Sequence, residues 1–191
     1  MLTAMGDVMR EAYRRGWITT RDGNISVYKR PDCLYVTPSA VRKNKIEVEA
    51  LVKMKVKDGE LIIPEKVNPS IELDMHFFIH RDRGFKTGAV VHLHPTHCVA
   101  AMHAGIELKE LVKQFPELGR YTKVGPNVQF FFPGSDDLAM ATSTCIYSND
   151  VVGQIGHGVT AYSGDPWSAF EHIERLEHIC EIVLKAKVAG N

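Results

Sequence analysis

Apolar residues recur at helical spacing from the start of the chain. Leu2, Met5, Val8, Met9 and Ala12 share one stripe, and Gly16 stands where a helix stop is favoured. The period then shortens. Residues 24–28 and 33–37 are β-rich runs split by the turn-like Lys29-Arg30-Pro31-Asp32, and 51–56 with 61–63 predict a hairpin through Lys57-Asp58-Gly59-Glu60. A helix is expected over 70–80 with Ser70 as its N-cap, then a strand over 89–94 and a helix opening near Pro95. Gly134-Ser135-Asp136-Asp137 predicts another helix start, 151–155 and 159–162 two strands, and Asp165-Pro166 the start of the last helix. That helix carries Trp167, Phe170, Ile173, Leu176, Cys180, Val183 and Leu184 on one stripe, which marks core or subunit interface far more often than a cofactor box. Helix and strand signals alternate without repeat or low-complexity linker, so a single domain over 1–191 is the simplest organisation.

Composition narrows the class of partner. With 191 residues, 45% of them hydrophobic, and a formal net charge of zero, the chain can bury a core unaided and has no electrostatic reason to bind nucleic acid or an anionic membrane. The N-terminus mixes charge with helical apolar spacing and does not resemble a signal peptide, and no apolar run is long enough to span a bilayer. Cys33, Cys98, Cys145 and Cys180 are scattered and read as reduced, mostly buried residues; a cytoplasmic location is expected.

Three histidines carry the most chemistry. His92 and His94 lie in Ala89-Val90-Val91-His92-Leu93-His94-Pro95, and residues i and i+2 of a strand face the same way, so both imidazoles can reach one ion. His157 follows an apolar run and sits between Gly156 and Gly158, where backbone can turn and approach closely. Three neutral imidazoles with an open fourth position suit a catalytic zinc or similar divalent ion. A His-x-His pair alone is common on surfaces and in cores; the third histidine tips the balance toward metal.

Other pieces are less specific singly. Arg21-Asp22-Gly23-Asn24-Ile25-Ser26 and Thr37-Pro38-Ser39-Ala40 offer amides and hydroxyls to an anion, although ordinary turns use the same residues. Pro69-Ser70-Ile71-Glu72 opens a predicted helix, whose N-terminus attracts phosphate or carboxylate; Glu72 there also fits a surface acid complementing the dipole. His76 and His80 continue that helix face and are assigned to packing, without a functional role.

In this order and spacing the pieces resemble the class II aldolase family, typified by L-fuculose-1-phosphate aldolase, which also contains ribulose-phosphate epimerases, methylthioribulose-phosphate dehydratases and adducin head domains. The family's Gly-Asn-(Ile/Val/Leu)-Ser loop matches Gly23 to Ser26, its Thr-Pro-(Ser/Thr)-(Gly/Ala) turn matches Thr37 to Ala40, and its Ser-Ser-Glu matches Ser70-Ile71-Glu72. The His-x-His pair falls on His92 and His94, and the ligand-Gly pair on His157-Gly158. The resemblance covers nearly the whole chain. It implies an α/β fold, three-layer α/β/α around a mainly antiparallel sheet, and a homotetramer with interfacial active sites. It implies a divalent ion, Zn²⁺ with Mn²⁺ or Co²⁺ as alternatives, on His92, His94 and His157. It further implies (retro-)aldol cleavage of a ketose 1-phosphate to dihydroxyacetone phosphate and an aldehyde through a metal-stabilised enediolate. Glu72 is then the catalytic acid–base, and Gly23, Asn24, Ser39, Ala40, Ser70 and Arg21 hold the phosphate.

The departures from the pattern are Ile71 in place of a serine, Arg21 in place of a threonine, and no counterpart of the family's tyrosine-bearing tail. Tyr121 is the nearest tyrosine after the metal pair, with Phe115 or its neighbours aligned opposite the family's proton donor. Decarboxylase, dehydratase and epimerase chemistry belong to the same family, and Arg21 suits a carboxylate-bearing substrate. Dehydratases usually lack the glutamate that Glu72 supplies. A non-catalytic module resembling the adducin head is the reading from another class, and such modules lose the metal ligands kept here.

Overall fold

The computed structural model describes residues 1–190, and among them seven strands and seven α-helices. The strands are β1 (Asn24–Lys29), β2 (Cys33–Val36), β3 (Val52–Lys57), β4 (Glu60–Ile62), β5 (Gly88–Leu93), β6 (Val151–Gln154) and β7 (Gly158–Ser163). They form one sheet in the order β4-β3-β2-β1-β5-β7-β6, each neighbour antiparallel. The helices are α1 (Leu2–Arg14), α2 (Leu73–Asp82), α3 (Thr96–His103), α4 (Leu111–Gln114), α5 (Pro116–Tyr121), α6 (Asp136–Ile146) and α7 (Pro166–Val188).

Alternation along the central strands divides the core in two. Ile25, Val27, Val91, Leu93, Val159 and Ala161 face α1, α3 and α7, whose stripes include Met5, Val8, Met9, Ala101, Phe170 and Ile173. On the other face Val90 and Val152 meet Met75 and Ile79 of α2 and Leu138 and Ile146 of α6. Leu34, Val36 and Met54 meet Leu73 and Phe77, also of α2. This is the three-layer α/β/α arrangement around an antiparallel sheet that the family resemblance implied.

Two expectations shift. The second helix begins at Leu73, not Ser70: Pro69 and Ser70 pair with Pro38 and Thr37, and residues 70–73 form a turn closed by Leu73 N–H to Ser70 C=O at 3.1 Å before the helix opens. Residues 108–121, for which no element was expected, carry a 3₁₀ turn and the short α4 and α5. On α7, Phe170, Ile173, Leu176 and Cys180 are buried as the stripe predicts, whereas Trp167 is half exposed.

Candidate metal centre and active-site cleft

One rung of the sheet builds the site. Asn24 on β1, His92 on β5 and Thr160 on β7 are cross-strand partners, and their side chains share the face covered by α2 and α6. His94 lies just past β5, and His157 lies in the turn from β6 to β7. The three imidazoles offer ligand nitrogens within 4.8 Å of one another, and the Nε2 atoms of His92 and His94 are 2.9 Å apart. Gly158 makes this possible: a Cβ there would meet Leu93 O at 2.5 Å, His94 at 2.7 Å and His92 at 3.0 Å.

The donor set fits a divalent ion. His92 Nδ1 lies 2.9 Å from Thr160 Oγ1, whose hydroxyl donates to Gln154 Oε1 at 3.0 Å, while Gln154 Nε2 donates to Thr142 Oγ1 at 2.9 Å. The Thr160 hydroxyl is spent on Gln154, so His92 carries its hydrogen on Nδ1 and leaves Nε2 with a lone pair for the cluster. Burial pushes all three imidazoles below their ordinary range, keeping them neutral as ligands must be.

Glu72 faces the cluster. Its Oε2 accepts from Asn24 Nδ2 at 2.7 Å and lies 3.5 Å from His92 Nε2; its Oε1, which has no hydrogen-bond partner, lies 3.5 Å from His157 Nε2. Glu72 stands at the N-cap position of α2 with its side chain buried and turned away from the helix amides, so it is not the surface acid its place near a helix start would allow. Burial pushes its carboxyl up, and His157 and the Asn24 hydrogen bond pull it partly back.

A cleft of about 310 Å³ runs from this cluster to the turns expected to hold an anion. Gly23, Ser39, Ala40 and Ser70 line it with Arg21 at its exposed rim. Gly23 takes φ +68°, and a Cβ there would meet Ile18 at 2.7 Å and His92 O at 3.1 Å, so this turn needs glycine twice over. Asn24 lines the cleft too, but its amide is turned to Glu72 and, through Oδ1, to His76. Ile71 stands 68% exposed on the wall. Tyr121 and Phe115 line a different groove beside Arg175 and His178 of α7.

Lys43 also lines the cleft, and no sequence motif marks it. Its buried Nζ donates to Pro38 O at 3.1 Å and Arg21 O at 3.4 Å, tying the two turns together, and burial pushes its ammonium down. It forms no ion pair among the described residues, and Asp22 is the acid whose field reaches it.

Residues 3–184 match the model of the Class II Aldolase and Adducin N-terminal domain family. The chain belongs to this family. Its fold superposes on L-fuculose-1-phosphate aldolase from Thermus thermophilus with a TM-score of 0.84 at 24% identity, covering 99% of this chain and 95% of that one. A probable bifunctional methylthioribose-1-phosphate isomerase/methylthioribulose-1-phosphate dehydratase from Nocardia farcinica is 28% identical over 92% of this chain and 34% of that protein. Rhamnulose-1-phosphate aldolase from Bacteroides thetaiotaomicron is 31% identical over 68% of this chain and 52% of that protein. The chain thus spans about a third and about half of these two relatives. A 3-oxo-tetronate 4-phosphate decarboxylase from Pectobacterium atrosepticum is 28% identical over 90% and 78% of the two chains. The class II aldolases of this family use a divalent metal, and the names of these relatives cover lyases of three kinds.

Proposed function

We propose that the chain is a metal-dependent lyase performing (retro-)aldol cleavage of a ketose 1-phosphate to dihydroxyacetone phosphate and an aldehyde. The observation that carries this reading is a carboxylate oxygen without a partner, Glu72 Oε1, facing three convergent imidazoles at the end of a cleft walled by the turns expected to hold an anion. His92, His94 and His157 would hold Zn²⁺, Mn²⁺ or Co²⁺, and a bound ion would supply Lewis acidity toward a substrate carbonyl.

The protein's own groups do the rest. Glu72 Oε1 gives and takes the proton at the carbon beside the carbonyl, while Asn24 holds Oε2. The Ser39 and Ser70 hydroxyls, the Gly23 and Ala40 backbone, and the cations of Arg21 and Lys43 grip the phosphate away from the reacting carbon, so remote binding becomes positioning. A homotetramer with sites between subunits accompanies this reading. Phe132, 76% exposed, and Ile71 beside the cleft support it as apolar surface awaiting cover, and a light-scattering mass of one chain would refute it.

The test is a coupled assay for dihydroxyacetone phosphate with metal-loaded protein and a panel of ketose 1-phosphates, with and without chelator. Chelator-sensitive release is expected. No release from protein with metal bound would transfer the site to decarboxylation, the second reading, which Arg21 at the rim favours by suiting a substrate carboxylate.

A further inference from the structure

Asn24 is itself held from behind. His76 and His80, one turn apart on α2, both reach Ser26 on β1, and all three side chains are fully buried. Ser26 Oγ lies 2.7 Å from His76 Nδ1 and 2.9 Å from His80 Nε2, and His76 Nε2 meets Asn24 Oδ1. His80 Nδ1 is buried with no partner, so the chain of contacts ends there.

The direction of every bond follows from the Asn24 amide. Its Nδ2 donates to Glu72 Oε2, which leaves Oδ1 as an acceptor. Burial pushes His76 and His80 down to about 3, so each carries one ring hydrogen. His76 must place its hydrogen on Nε2 to meet Asn24 Oδ1, which leaves Nδ1 to accept from Ser26. Ser26 has one hydrogen, given to His76, and so accepts from His80 Nε2–H.

We propose that this four-bond chain, His80 to Ser26 to His76 to Asn24 to Glu72, is a positioning device that fixes which carboxylate oxygen does the chemistry. It locks the Asn24 amide against rotation, so Oε2 stays tethered and Oε1 alone is free to face the cleft. His76, Ser26 and His80 are positioning residues acting through Asn24, and the proposal rests on Glu72 being the proton carrier. A buried hydrogen-bond network of this kind rigidifies the groups it joins.

The test combines imidazole ¹⁵N NMR on the intact chain with steady-state kinetics on the ketose 1-phosphate cleaved fastest in the panel. The expected spectrum shows His76 and His80 neutral and protonated at Nε2 through neutral pH; an Nδ1–H form of His76 would overturn the proposal. His76→Leu should lower kcat about ten- to a hundredfold with KM and metal content near wild type. His76→Gln, whose amide can replace the Nε2–H, should recover most of that loss. Wild-type kcat in His76→Leu, or a folded His76→Gln no better than it, would also overturn the proposal. If His76→Leu does not fold, Ser26→Ala carries the kinetic test: a several-fold fall in kcat at constant KM is expected, and an unchanged kcat refutes the chain. Full activity in Glu72→Gln would instead sink the proton-carrier reading while leaving the histidine tautomers as expected.

Discussion

His157 reaches the cluster from a turn whose next residue has no room for a side chain. A methyl group at Gly158 would press on the Leu93 carbonyl and on two imidazoles at once. Gly158→Ala should therefore cost about 1–3 kcal/mol of stability and most of the bound metal, read by thermal melting and elemental analysis. Wild-type metal content at an unchanged Tm would show that the close approach is not what this position requires. The ligand and the carboxylate should separate in the same measurements: His157→Ala loses metal, whereas Glu72→Gln keeps metal near wild type and loses turnover. The three histidines were legible because alternation on a strand and flanking glycines are local rules. Lys43 was not, since its partners Pro38 and Arg21 belong to turns that only the folded sheet brings together.

Helices show the same division between local and distant causes. Pro95 precedes α3 and has no side chain to cap it, so Glu177 of α7 does the work from 79 residues away, accepting from Cys98 N–H at 2.8 Å and His97 N–H at 3.1 Å. Glu177→Ala should then cost about 2–3 kcal/mol and lower Tm by about 5–10 °C in a chain of this size. A shift within error would mean that water replaces the carboxylate without loss. In sequence Glu177 is one more acid on an amphipathic helix, and nothing marks it as a cap for another element. The stripes of α1 and α7 and the β-rich runs were readable because one period governs each. The start of α2 was misplaced for the opposite reason: Ser70 does accept from Glu72 N–H through Oγ at 3.3 Å, but the turn it opens closes on Leu73 N–H, and the helix proper begins only there.

At the scale of the whole molecule, stability should depend on pH through the buried histidines. His76 and His80 fall from an ordinary 6.5 to about 3 in the fold, so below pH 6.5 the unfolded chain takes up protons that the native chain refuses. Their contribution is intact above 6.5 and is lost as pH falls toward 3, at up to about 1.4 kcal/mol per pH unit for each histidine. Glu72, pushed the other way, offsets part of this as it takes up its own proton. Urea midpoints of the metal-free chain should drop steadily from pH 7 to pH 5, and a constant midpoint would mean that the two imidazoles are protonated inside. The layered architecture followed from motifs in register, and no membrane-crossing helix occurs among the described residues. The rung Asn24–His92–Thr160 has a consequence in time as well as in space. His92 and Thr160 are 68 residues apart in sequence and become neighbours only once β1, β5 and β7 have paired in register. A one-residue slip would turn the ligand toward the wrong layer. Metal capture by the site proposed here would therefore be a late event in folding: in stopped-flow refolding, the signal of metal uptake should trail the burial of Trp17, and added metal should slow unfolding without hastening the first collapse.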